Sequence, residues 1–296
     1  MKMPQASKRW LRWLAIVAVA GLVAGGFFAL WVGQQLAAPV PRTIGPPPAT
    51  LGGETVKFPS ASGSTIVGWL TEHPAATGAI LLLHGVRADR RSMTDRARFL
   101  GQAGYHTLCI DFQAHGESPG QHITMGHLEA LDAAAGVAFL RQRFPRLPVA
   151  VVGTSLGGAS ALLADYERPP EAFVVEAAFA DLTTAVDNRM ETRFGAGGRL
   201  LAPLLTWQFR YIVGIDASEI SPVRAIATIK QPVLILHGSA DRHARPAEAK
   251  ALFAAAQGPK EIWEVPGAAH VDLHRFAKPE YERRVGAFLA KYLQLQ

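Results

Sequence analysis

The stretch VAVVGTSLGGASALLADY (149–166) decides how the rest of the chain is read. VAVV (149–152) has the short, uninterrupted apolar character of a strand buried on both faces. LGGASALLADY (156–166) has the small apolar residues of a closely packed helix. Between them stands Gly153-Thr154-Ser155-Leu156-Gly157, a G-x-S-x-G match. Its glycines permit the close backbone approach of a sharp strand-to-helix turn, and the helix start aims N–H groups at developing negative charge. Such a turn lifts the Ser155 hydroxyl clear of the sheet. The match alone is weak, because 28 glycines make chance hits common. A decoy, Gly116-Glu117-Ser118-Pro119-Gly120, shows the difference. Proline after Ser118 has no N–H to offer an oxyanion, and no helix follows at once. Ser118 is read as a turn residue, and Ser155 as the nucleophile.

Outward from this motif the chain alternates between two periodicities. ETVKF (54–58) and TIVGWL (65–70) form an opening antiparallel pair. AILLL (79–83), TLCI (107–110), AFVVE (172–176), VLIL (233–236) and EIWEV (261–265) repeat the buried-strand character of 149–152. Helical patterns fill 92–103, 126–143, 156–166, 246–256 and 279–293. The expected fold class is α/β: a mostly parallel sheet flanked by helices, with ligands at the carboxyl ends of the strands. Cys109 falls inside a strand, and as the single cysteine it excludes an intrachain disulfide and a cysteine-based zinc site.

A serine nucleophile needs a base, and the base an orienting acid. Of ten histidines, His270 lies just past the last strand and before the final helix. His274 reads as a surface residue at a helix start, His237 as packing under the acid, and His243 as a rival too close to its own acid. Asp241, just beyond the 233–236 strand, is the expected acid. Asp181 after the 172–176 strand is the alternative, and Asp216 a weaker one.

The order Ser155, Asp241, His270, each on a loop after a strand, resembles the α/β-hydrolase superfamily. LLLHG (81–85) is similar to its oxyanion loop, and PVLILHGSAD (232–241) and PGAAH (266–270) to the segments carrying acid and base. DFQAHGES (111–118) is similar to its D-x-x-G-x-G-x-S loop, with Ala114 where glycine is usual. The resemblance runs from about residue 54 to 293. It implies an oxyanion hole made by the N–H groups of Val86 and Leu156, each such donor stabilising a transition state by about 3–4 kcal/mol. It also implies an ester target (esterase, lipase or thioesterase) with peptidase activity as the runner-up, and no cofactor or metal. His84 is expected to be structural. Arg87, Arg90 and Arg91 are read as a solvated surface in preference to a rim that attracts an anionic acyl group.

About 56 residues separate the 172–176 and 233–236 strands, more than one crossover needs. The apolar, aromatic 190–214 within this cap insertion (about 182–228) either roofs Ser155 or merely covers the sheet.

At the other end, residues 13–32, WLAIVAVAGLVAGGFFALWV, hold no ionisable side chain. As a helix they span about 30 Å, the thickness of a bilayer core. Residues 1–12 are a basic tail in which Lys2, Lys8, Arg9 and Arg12 supply +4 of the net +6. Those cations predict a cytoplasmic N-terminus and an exported domain. A cleaved signal peptide is the competing reading. PVPRTIGPPPAT (39–50) suggests an extended, polyproline-like stalk within a 33–50 linker. The hydrolase domain is then 51–296, carrying almost no net charge, which excludes a nucleic-acid partner. The sequence thus predicts a membrane-anchored serine hydrolase of small acyl substrates, against a noncatalytic envelope binding protein that keeps the same scaffold.

Overall fold

A computed structural model describes residues 5–294; side chains are described from residue 9 onward, that of Leu22 excepted. Residues 1–4 of the expected basic tail therefore lie outside the described residues.

Eight strands form one sheet: β1 (Glu54–Pro59), β2 (Thr65–Thr71), β3 (Gly78–Leu83), β4 (Tyr105–Ile110), β5 (Val149–Thr154), β6 (Ala172–Glu176), β7 (Val233–Gly238) and β8 (Lys260–Val265). Their order is β8-β7-β6-β5-β3-β4-β2-β1. Pairing is antiparallel between β1 and β2 and between β2 and β4, and parallel elsewhere. Every strand expected from the apolar runs is present. The reason is visible in β5, where Val149 and Val151 enter one apolar cluster while Ala150 and Val152 enter another. Both faces are dry, so both residue sets must be apolar.

The helices are α1 (Gln5–Ala37), α2 (Thr94–Gln102), α3 (His127–Arg143), α4 (Leu156–Leu163), α5 (Leu182–Phe194), α6 (Ala202–Val213), α7 (Pro222–Ile226), α8 (Pro246–Ala255), α9 (Leu273–Phe276) and α10 (Lys278–Tyr292). Apolar side chains of α3, α4 and α8 pack in the first cluster, and those of α2 and α10 in the second. Each fully buried leucine or valine there contributes about 1.5–3 kcal/mol.

α1 continues to Ala37, five residues past the expected end at 32. Its stretch Arg9–Ala37 is long and apolar enough to cross a membrane, with mean hydropathy 2.3 over its most apolar window. The 39–50 segment is extended but does not stand free as a stalk. Val40 N–H donates to Ala114 O at 2.7 Å, and Ile44 and Gly45 N–H donate to Glu117 Oε1 at 2.9 and 3.0 Å. Gly45 O in turn accepts from Trp69 Nε1 at 3.0 Å. Prolines fix an extended backbone, and the groups that backbone leaves unpaired are taken up by the domain.

Candidate active site

Ser155 links the end of β5 to the first turn of α4 with φ 53 and ψ −111, a conformation that side-chain-bearing residues rarely adopt. The turn is held by Ser155 N–H donating to Glu176 O at 2.7 Å. It is possible only because Gly157 lies against β3: a Cβ there would overlap the Leu83 carbonyl. Beneath the turn, Glu176 accepts from Arg96 Nε and Nη2 at 3.0 and 2.6 Å and from the Tyr281 hydroxyl. Arg96 also pairs with Asp272 at 2.9 Å, so the underside of Ser155 and the loop carrying His270 share one buried guanidinium.

His270 Nδ1 donates to Asp241 Oδ2 at 2.7 Å, while Asp241 Oδ1 accepts N–H groups from His243 at 2.8 Å and Ala244 at 3.1 Å. Burial opposes ionisation of Asp241, but these bonds and the His270 ring outweigh it and hold its pKa below the ordinary carboxylate range. Among the described residues no hydrogen bond joins Ser155 Oγ to His270, a contact that in unliganded sites often tightens only when substrate binds.

Ser155, His270, Val86 and Leu156 line one cavity. Neither the Val86 nor the Leu156 N–H has an acceptor among the described residues. The Gly85 backbone reaches Ser155 closely, since a Cβ on Gly85 would lie 3.7 Å from Ser155 Cβ. His84 stabilises that loop: Nδ1–H donates to Gly85 O at 2.7 Å and Nε2 accepts from Phe112 N–H at 3.2 Å. Burial, with the neighbouring His115 ring adding to it, lowers the His84 pKa to about 3, so the ring is neutral and structural. Ala114 takes φ 59, which accounts for glycine being usual at that place in the loop.

The remaining walls come from the cap and from α1. Leu182, Val186 and Met190 of α5 and Leu205, Phe209 and Ile212 of α6 face the cavity, so 190–214 roofs the site and does more than cover the sheet. Gly33, Leu36 and Ala37 of α1 complete it. Sequence reasoning missed this contribution, because nothing local in an apolar helix marks the residues that dock.

Other expected residues resolve as follows. Ser118 is a buried turn residue, donating to Asp111 O at 2.7 Å and accepting from Val67 N–H at 2.9 Å. Asp181 precedes α5 and accepts from the Ser221 hydroxyl, away from His270, and Asp216 caps a short turn through Ser218 N–H at 2.9 Å. His237 is buried beside the acid loop, and Cys109 is a core residue whose thiol pKa is pushed up to about 12 by burial. His243 lines the cavity, and its ring stacks on that of His270 at 5.2 Å. Two expectations are corrected. His274 is not on the surface but buried, with Nε2 2.9 Å from Glu282 Oε1. Arg90 is not solvated but fully buried, paired with Asp111 and Glu117 and lying 4.9 Å from the Trp69 ring. Arg91 is exposed as expected, and Arg87 lines the cavity while donating to Gln35 O at 3.0 Å.

Sheet order and the turn at Ser155 are those of the α/β-hydrolase fold. A family model described as "Hydrolase_4: Serine aminopeptidase, S33" matches residues 74–217. The chain is 29% identical over 272 residues to the uncharacterized protein Rv2307c of Mycobacterium tuberculosis (strain ATCC 25618 / H37Rv), covering 88% of this chain and 89% of that one. It is 28% identical over 179 residues to the lysophosphatidylserine lipase ABHD12 of Danio rerio, covering 58% of this chain and 44% of the lipase. Among solved structures, the Pyrococcus furiosus esterase Pf2001 superposes with a TM-score of 0.72 at 24% identity, over 87% of this chain and 98% of the esterase.

Proposed function

We propose that this hydrolase is a membrane-anchored serine esterase that works through an acyl-enzyme. Ser155 Oγ attacks the ester carbonyl as His270 Nε2 takes its proton, and Asp241 holds the imidazole by Nδ1. The tetrahedral oxyanion is received by the N–H groups of Val86 and Leu156. Collapse expels the alcohol, protonated by His270. Water, activated by the same ring, then releases the acid. No cofactor takes part in this scheme.

The observation that carries the reading is the convergence on one cavity of a strained serine, a histidine 2.7 Å from its aspartate and two amides without acceptors. An ester is favoured over the peptide suggested by the aminopeptidase description. Among the described residues, no aspartate or glutamate lines the cavity. The ammonium of a free peptide N-terminus would be desolvated there without a partner. Retention of every group in the scheme argues against a noncatalytic binding protein.

The anchor is supported by the helix itself. A cleaved signal peptide would take away residues 33–37, yet Ala37 O accepts from Ile123 N–H at 2.8 Å and Gly33 lies against Gln208. The test is labelling of the purified full chain by a fluorophosphonate, with turnover of short-chain esters. Labelling and turnover that both vanish in Ser155→Ala are expected; an unlabelled wild type would overturn the enzyme reading. Alkaline phosphatase fused after residue 50 should be active in a bacterial host, and a silent fusion would reverse the proposed orientation.

A further inference from the structure

We infer that the cavity is a fatty-acyl site opening at the bilayer surface, and that the substrate is a single-chain amphiphile, a long-chain monoacyl ester. This rests on the esterase reading and names the substrate class of the same site.

Three observations carry it. First, α1 is fixed to the domain by its last turns. Gln208 Nε2 donates to Ala29 O at 2.9 Å, Arg87 Nη1 to Gln35 O at 3.0 Å, and Ile123 N–H to Ala37 O at 2.8 Å. At Gly33 a Cβ would overlap the Gln208 side chain, so the helices approach as closely as glycine permits. Second, the cavity-lining residues of α1, Gly33, Leu36 and Ala37, begin one residue beyond the apolar run 13–32 and flank Gln34 and Gln35, the first amide side chains after it. At 1.5 Å per residue they lie within about 8 Å of the end of a bilayer-spanning segment, at the level of the headgroups.

Third, α6, the cap helix that grips α1, exposes Trp207 (56%) and Tyr211 (70%), their rings 4.8 Å apart, and Leu200 just before it is 85% exposed. Large amphipathic rings left uncovered beside a spanning helix suit a membrane interface, where one end is apolar and the other wet. A membrane seated against this face also explains why the domain leaves it bare.

The cavity therefore has Ser155 at one part of its wall and a bilayer-entering helix at another, with apolar side chains between. A monoacyl ester leaving the bilayer would keep its chain in contact with Leu36, Met190 and Phe209 and bring its carbonyl to Ser155. The ester C–O bond breaks, an acyl–Oγ bond forms, the alcohol departs with the proton from His270, and water liberates the fatty acid.

The test uses the full chain in phosphatidylcholine vesicles with palmitoyl and butyryl glycerol monoesters. Leu36→Trp should lower the palmitoyl-to-butyryl ratio of kcat/KM by about tenfold or more, the effect of overfilling an apolar site. Leu36→Ala, which removes bulk instead, should keep or raise that ratio. A ratio unmoved by the tryptophan, with fluorophosphonate labelling retained, would overturn the proposal. A readout independent of turnover is photocrosslinking of Ser155→Ala with a diazirine-bearing palmitic acid in the same vesicles. Adducts on Leu36 and on α5 or α6 support the site, whereas adducts confined to residues 13–32 overturn it. Adducts in the cavity of a protein that hydrolyses no ester would leave the acyl site standing and remove only the esterase reading.

Discussion

In the proposed triad Asp241 sits between two demands: to stay ionised although buried, and to hold one face of His270. Its second oxygen, bonded to two backbone N–H groups, meets the first demand and leaves Oδ2 for the second. Asp241→Asn preserves shape but favours the wrong imidazole tautomer. By analogy with the serine proteases, kcat for ester hydrolysis should fall by about 10⁴-fold with little change in KM, as steady-state kinetics would show. His84 sets a pH dependence of stability. Its pKa of about 3 in the fold lies below the ordinary value of 6.5, so the unfolded chain takes up the proton first. The contribution of the neutral ring is fully present above about pH 6.5 and is lost as pH falls toward 3, at up to about 1.4 kcal/mol per pH unit. Urea midpoints measured from pH 7 to 4 should fall, and His84→Asn should flatten that slope.

At the scale of elements, the turn between β5 and α4 depends on bare backbone at Gly157, where a methyl group would meet the Leu83 carbonyl of β3. Gly157→Ala should cost about 1–3 kcal/mol as α4 is pushed from the sheet, read as a lowered denaturant midpoint. Labelling of Ser155 should slow as well, because the strained serine follows the helix. This part of the site was legible in the sequence. A buried strand, a glycine-spaced serine and a small-residue helix are consecutive, and consecutive features are what local periodicity reports. The cap was half legible: its apolar residues were evident, but whether they roofed Ser155 depended on the placement of α5 and α6 over the sheet. His274 and Arg90 were misread for the same reason, since their partners Glu282, Asp111 and Glu117 belong to other segments.

For the molecule as a whole, Arg96 ties distant parts together. It lies on α2, pairs with Glu176 at the end of β6 and with Asp272 ahead of α9, and contacts the Tyr281 hydroxyl of α10 at 3.2 Å. Arg96→Met would leave the Glu176 carboxyl buried without its guanidinium partner. The expected loss is about 3–5 kcal/mol, measured by denaturant unfolding. Arg96→Lys, which keeps charge but not the forked geometry, should recover only part of it. Because Glu176 supports Ser155 and Asp272 follows His270, the methionine variant should also lower kcat more than it changes KM.

The sequence by itself determined the order of strands and helices, the serine at the turn, and the candidate acid and base on loops after later strands. Each is encoded in a few neighbouring residues whose burial pattern or backbone freedom is a local property. Only the tertiary structure decided that α1 forms a wall of the cavity, that the proline-rich segment lies against the domain, and that one guanidinium braces both halves of the site. Gln208 meets Ala29 across 179 residues and Arg96 meets Tyr281 across 185. Contacts at that separation have no local signature, since they exist only once the sheet has brought the segments together.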